Sequence, residues 1–225
     1  MEEYFPYGEK ELSYLRKKDK RLAEVIDKVG MVERRVVPDL FTALVHSIVG
    51  QQISAKAHES IWRKIVEAFG TITPEAMAAM PPEELQKFGL SFRKVDYIQS
   101  AAKKILSGEF DIDALRNESD EEVCQALGSL DGVGKWTAEM LMIHSLLRPD
   151  VLSYGDLGIQ RGMRMLYHHR KITPALFEKY RRRYSPYATV AGIYLWEISA
   201  GKVEGMKDYA PKIAVAGRKS KGNGI

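Results

Sequence analysis

The chain has 225 residues, of which 45% are hydrophobic, with 34 Lys and Arg against 30 Asp and Glu and a single cysteine. A chain of this length buries enough apolar surface to fold without disulfide or metal staples, and no run approaches the roughly 18 to 20 apolar residues that span a bilayer. Cys124 alone excludes both a disulfide framework and a cysteine-ligated iron–sulfur cluster, which takes about four thiolates.

Met1-Glu2-Glu3-Tyr4 lacks the basic and apolar regions of a signal peptide. The expectation is a protein without membrane contact, in the cytosol and nucleoid, or in the nucleus if the source is eukaryotic. The formal net charge is +4, and the cations come in runs: Arg16-Lys17-Lys18, Lys20-Arg21, Arg34-Arg35, Arg170-Lys171, Arg181-Arg182-Arg183, and Arg218-Lys219 with Lys221. Such runs let one face attract a polyanion such as nucleic acid, although solvated helix faces are the commoner reason for them.

Apolar residues recur with helical period nearly throughout, and no strict apolar–polar alternation competes, so the spacing predicts an all-α chain. After the basic N-terminal helices, Val36-Val37-Pro38 interrupts the pattern. Phe41, Leu44, Val45, Ile48 and Val49 then share a face behind the cap Asp39. Ala57, Ile61, Ile65 and Phe69 recur every fourth residue from Ser54 until Gly70 ends the helix, which makes the two helices antiparallel neighbours. Pro74 and Pro81-Pro82 open short helices, and Val95, Ile98, Ala102 and Ile105 mark a longer one that stops at Gly108.

Ser119 and Glu122 form a capping box for a helix running to about Ser129. A glycine-rich turn follows, then a helix predicted over Trp136–Leu147, the break Arg148-Pro149-Asp150, and three helices near 156–167, 173–183 and 186–200. The last eight residues have the Gly/Lys/Ser composition of a disordered tail.

The turn Leu130-Asp131-Gly132-Val133-Gly134-Lys135 places glycines at both bends between two helices. Its exposed N–H groups and the dipole of the second helix make an anion nest suited to a DNA phosphate, although a tight helical hairpin needs such glycines by itself. Taken further, Leu130-x-Gly132-Val133-Gly134-x-x-Thr137-Ala138 with a later aspartate resembles the helix–hairpin–helix DNA glycosylase superfamily over roughly residues 36–200. Gly50-Gln51-Gln52-Ile53-Ser54, Gly89-Leu90-x-x-Arg93-Lys94 and Trp136-Thr137-Ala138-Glu139 look most like its DNA-3-methyladenine glycosylase II branch.

That resemblance implies two helical subdomains flanking a cleft: a central one over 36–148, with the helix–hairpin–helix at about 120–148, and a second from 1–35 plus 149–217, with 218–225 as tail. The best-known bacterial member has an extra N-terminal β-rich domain, for which this length leaves no room, so the compact form is expected. The catalytic aspartate of the branch follows its tryptophan by twenty positions, where this chain has Asp156. Asp156 also stands where a plain helix N-cap would.

Backbone-cutting members carry a lysine nucleophile where this chain has Trp136. Lys135 is one position early, which turns a side chain by about 100° around a helix. The expectation is therefore hydrolysis without lyase activity. The resemblance places Trp136 and Trp196 at the base pocket, with Tyr154 nearby, and puts Met140 and Leu157 where tyrosines stand in the best-known bacterial pattern. Trp62 and Tyr97 read as core.

Gln52, with Ile53 beside it, is the residue expected to fill the hole left by an extruded nucleotide, while Gly132, Gly134, Lys135 and Thr137 would anchor phosphates. No organic cofactor or metal is expected, the five histidines showing no ligand spacing; family members can hold a monovalent cation on the hairpin carbonyls. The implied partner is double-stranded DNA containing damaged bases, bound by a monomer that removes alkylated purines of the 3-methyladenine and 7-methylguanine type. Two alternatives stay open on the sequence: a glycosylase for deaminated or mismatched bases, and a non-catalytic helix–hairpin–helix DNA-binding module.

Overall fold

The computed structural model describes residues 3–211; the expected tail at 218–225, with Arg218, Lys219 and Lys221, and the end of the second subdomain after 211 lie outside these residues. Among the described residues the chain is built from helices, with one two-stranded antiparallel ribbon at the start. In that ribbon β1 (Glu3–Tyr4) pairs with β2 (Arg35–Val36) around two helices, α1 (Glu9–Lys18) and α2 (Lys20–Val29). The ribbon is a departure from the all-helical pattern, and two-residue strands are too short to show a period in sequence.

The chain continues through α3 (Leu40–Gly50), α4 (Ala55–Phe69), α5 (Pro74–Ala79), α6 (Pro82–Gln86), α7 (Phe92–Leu106), α8 (Asp120–Gly128) and α9 (Lys135–His144). It ends in α10 (Leu157–Tyr167), α11 (Pro174–Tyr184) and α12 (Ala188–Ser199). Asp39, Ser54 and Ser119 each accept a backbone N–H as N-caps, and Ser119 completes the capping box with Glu122. Helix α9 stops at His144 rather than running to Leu147. Leu146 and Leu147 continue the apolar pattern, but Leu147 takes φ 57 and the Arg148 N–H returns to the Met142 carbonyl, closing the helix early. No helix among the described residues is long and apolar enough to cross a membrane.

Burial falls into two clusters. The first contains Leu44, Ile48, Ile65, Ile98, Leu127 and Leu141 from α3 to α9, and the second contains Leu15, Leu22, Ile159, Met163, Tyr184 and Tyr194 from the N-terminal helices and α10 to α12. Within the second cluster α10 and α12 touch at backbone distance. A Cβ on Gly162 would lie 2.2 Å from the Leu195 carbonyl oxygen, so only glycine fits there. Trp196 of α12 packs against both clusters and marks where they meet. The Val37 N–H donates to the His144 carbonyl at 2.8 Å, tying the crossover strand to the end of α9.

Two histidines lie inside this arrangement. His46 packs against His58 and the edge of Trp62, with ring centroids 4.3 and 4.8 Å away, while His144 stacks on Trp196 at 5.8 Å. Burial, reinforced by His58 for one ring and by the Arg34 charge for the other, pushes both pKa values from 6.5 down to about 4. Both rings are therefore neutral in the folded protein at pH values where the unfolded chain protonates them.

Between pH 6.5 and 4 the unfolded state binds more protons than the folded state at these rings, so stability falls as pH drops through this window. Each ring contributes up to about 1.4 kcal/mol per pH unit. Urea unfolding should give a free energy lower by about 3–4 kcal/mol at pH 5 than at pH 7, about half of it from each ring; equal values at the two pH values would contradict the burial of neutral rings.

Candidate active site

The site is assembled at the N-terminus of α10, where the apolar face of that helix fixes its start against α12. Asp156 is the N-cap of α10, 9% exposed, and its Oδ1 accepts the Ile159 N–H at 2.8 Å. The same Oδ1 accepts the indole N–H of Trp196 at 3.2 Å, and Oδ2 accepts that of Trp136 at 3.0 Å. An ionised carboxylate offers about four lone-pair positions, so these three bonds leave one open on Oδ2. Capping consumes one oxygen and leaves the other to face whatever lies beside the two indoles. Gly158 makes this possible, since a Cβ there would come within 3.0 Å of both Asp156 Oδ1 and the Trp196 ring.

Trp136 stands in the first turn of α9 and is 45% exposed. The preceding bend depends on Gly132, whose φ is +79 and whose missing Cβ would otherwise lie 2.2 Å from the Tyr97 ring. Tyr97 thus packs on the first cluster and closes the back of the bend, and Trp62 is likewise partly buried there. Gly134 caps α9 without a side chain, leaving the first N–H groups of the helix without intrahelical partners. Gly134 and Lys135 are exposed, so these donors face solvent.

Lys135 does not point at Asp156. Its Nζ lies 4.0 Å from the Glu139 carboxylate, which also accepts a bond from the Ser153 hydroxyl and whose pKa burial pushes above the usual carboxylate range. The group set against Asp156 on this helix is an indole, not an amine.

The turn between α3 and α4 approaches the same bend. Gln51 Nε2 donates to the Gly132 carbonyl at 2.9 Å, joining the two loops, and Lys94 Nζ donates to the Val49 carbonyl at 2.8 Å at the end of α3. Gln52 is exposed and holds φ 56, a conformation that few residues other than glycine adopt, and Ile53 is exposed beside it. Gln52 and Ile53 are therefore displayed on the surface next to the hairpin.

Not every residue singled out in the sequence converges on Asp156. Leu157 is 81% exposed and projects into solvent, where it walls no enclosed space. Thr137 is 5% exposed, its side chain turned inward, so only its backbone N–H is placed for an anion. Met140 packs against the first cluster. Tyr154 packs edge-on against Phe177 at 5.3 Å and donates to the Ile172 carbonyl, lining a separate cleft of about 1140 Å³ between the hairpin and α11. Neither Asp156 nor the two indoles line that cleft.

Two further residues lie against the Trp196 indole, Arg34, read from the sequence only as part of a basic run, and His144, not singled out there. The Arg34 guanidinium lies 4.6 Å over the Trp196 ring, and neutral His144 stacks on Trp196. Among the described residues no His, Cys, Asp and Glu group is arranged to hold a metal ion.

Residues 45–186 match the family model described as "HhH-GPD superfamily base excision DNA repair protein". The chain is 32% identical over 193 residues to DNA-3-methyladenine glycosylase 1 of Schizosaccharomyces pombe, covering 84% of this chain and 85% of that protein. Among solved structures it is similar to a DNA-3-methyladenine glycosidase from Bacillus halodurans, with a TM-score of 0.80 and 34% identity over 92% of this chain and 96% of that one. It is also similar to the S. pombe 3-methyladenine DNA glycosylase bound to abasic DNA, with a TM-score of 0.74 and 29% identity over 85% and 97% of the two chains.

The carboxylate's double duty has a stability consequence. Asp156→Ala removes the cap and strands two indole N–H groups, which should cost about 1–2 kcal/mol, whereas Asp156→Asn keeps an oxygen for Ile159 and should cost less than half as much. Equal losses in urea titrations would show that Asp156 does not cap α10.

Proposed function

The chain belongs to the HhH-GPD superfamily of base excision DNA repair proteins, and from that premise we propose that it hydrolyses the N-glycosidic bond of alkylated purines in duplex DNA, of the 3-methyladenine and 7-methylguanine type. The observation that carries this reading is the Asp156 carboxylate, held between two indoles with one lone pair of Oδ2 open.

A base within the duplex is out of reach, so the nucleotide is extruded at a cost of a few kcal/mol, least for a damaged base. Gln52 and Ile53, exposed on a strained turn, are suited to occupy the space it leaves. The unpaired N–H groups at the start of α9, from Gly134 onward, bind flanking phosphates, with Lys135 adding charge. Gln51 holds this phosphate-binding bend in register with the wedge turn.

The C1′–N bond then breaks, its electron pair leaving with the base and a cationic sugar remaining. The Asp156 carboxylate stabilises that cation and accepts a proton from the attacking water. Each indole N–H that orients the carboxylate lies in a ring whose face is available to a purine or already loaded, and Trp136 is the more open of the two. No amine stands where a Schiff base would form, which supports base release without strand cleavage.

The reading needs no organic cofactor. A monovalent cation at the hairpin would be held by the carbonyls of Leu130 and Gly132, each of which already accepts one protein hydrogen bond and retains a second lone pair. The protein acts as a monomer on chromosomal DNA, in the nucleoid or nucleus, and each buried cluster serves as one wall of the DNA cleft.

Release of free base from methylated DNA tests the proposal. Wild type should release alkylated purines, and Asp156→Asn should lower the rate by at least about 100-fold while binding the same duplex within about threefold of wild type. Retained release in the variant would remove Asp156 from the reaction, and no release by wild type would leave a DNA-binding module.

A further inference from the structure

Trp196 is not a bare aromatic wall. The Arg34 guanidinium covers its ring at 4.6 Å, and Arg34 is placed there by backbone as well as side chain: its carbonyl accepts the Phe5 N–H at 2.8 Å, immediately beside the β1–β2 pairing. The guanidinium is half-buried, and among the described residues no hydrogen bond or ion pair takes up its N–H donors. The carboxylates whose charge acts on it are Glu197, which is engaged by Lys202 at 2.8 Å, and Asp156, which is bonded to the Trp196 indole N–H.

Burial lowers the guanidinium's pKa, and Glu197 and Asp156 pull it back up. Arginine nonetheless stays charged at any ordinary pH. A fixed cation therefore sits on the face of the ring whose N–H holds Asp156. His144, the other ring on Trp196, is neutral and does not alter that balance.

This matters for the choice of lesion. A purine alkylated at N3 or N7 carries one positive charge more than a neutral purine lesion such as hypoxanthine, both on entry and as the glycosidic bond breaks. A site containing Asp156 and two indoles alone would reward that charge, through carboxylate attraction and cation–π contact. Arg34 opposes it at both levels, by repulsion and by already occupying the face of one indole.

Resting on the glycosylase reading above, we infer that Arg34 is a specificity-determining residue that balances the charge of the Asp156–Trp136–Trp196 site, holding down its preference for cationic purines so that neutral purine lesions are also excised. The effect is a Coulomb difference of one unit charge at partly screened range, which corresponds to a discrimination on the order of tenfold.

The test compares kcat/KM on duplexes containing a single 7-methylguanine or a single hypoxanthine, using the full chain as wild type, Arg34→Lys, Arg34→Gln and Arg34→Ala, with the melting temperature of each. Wild type should release both bases. The ratio of 7-methylguanine to hypoxanthine kcat/KM should rise about tenfold in Arg34→Gln and Arg34→Ala and stay within about twofold of wild type in Arg34→Lys, which keeps the charge. A merely structural role would lower both rates together and leave the ratio unchanged, which overturns the inference, as does a wild type that releases 7-methylguanine but no hypoxanthine. A wild type that releases neither base overturns the glycosylase reading itself.

Discussion

One carboxylate is asked to finish a helix and to face a reaction. The N-terminus of α10 needs an acceptor, and Asp156 Oδ1 supplies it through the Ile159 N–H. If both oxygens were consumed in that way the group would be structural only. The two indole N–H groups divide the load: Trp196 shares the capping oxygen, and Trp136 holds Oδ2 in place with a lone pair still open. Everything else at the site follows from keeping that carboxylate at one position, including Gly158, where a Cβ would push the Asp156–Trp196 pair apart.

The two indoles come from different parts of the chain, and this is how the two cores are joined. Trp136 rides on α9, whose Ala138, Leu141 and Met142 belong to the first cluster, whereas Trp196 belongs to α12 and packs on both. His144 at the end of α9 stacks on Trp196, and Val37 hydrogen-bonds the His144 carbonyl, so the crossover strand, α9 and α12 meet at one place. That junction makes Arg34, carried on the N-terminal ribbon, a neighbour of a site built mainly from the middle and end of the chain. On the opposite flank Gln51 ties the α3–α4 turn to the hairpin through the Gly132 carbonyl.

Much of this was legible in the sequence. Caps such as Asp39, Ser54 and Ser119 were readable because a hydroxyl or carboxylate before an apolar period has a local physical meaning. Asp156 was singled out by the resemblance, which sets it twenty positions after Trp136, and a helix, a break and a return put the two in hydrogen-bond contact. Arg34 and His144 were not readable, because their contact with Trp196 is made by tertiary packing and leaves no local pattern. Gln52 was singled out by the resemblance, but the bond of its neighbour Gln51 to the hairpin is a tertiary contact that leaves no local pattern. The end of α9 was misread for a similar reason, since Leu146 and Leu147 keep the apolar period after the backbone has turned.

We propose that a carboxylate, and no amine, runs the reaction. Trp136 occupying the position against Asp156 while Lys135 is turned toward Glu139 supports this. Incubating the wild-type enzyme with a methylated duplex in the presence of sodium borohydride tests it directly, since reduction traps any Schiff base as a covalent protein–DNA adduct. The account predicts free base in solution, no adduct on a denaturing gel and strand breaks only after hot alkali; a trapped adduct would contradict it.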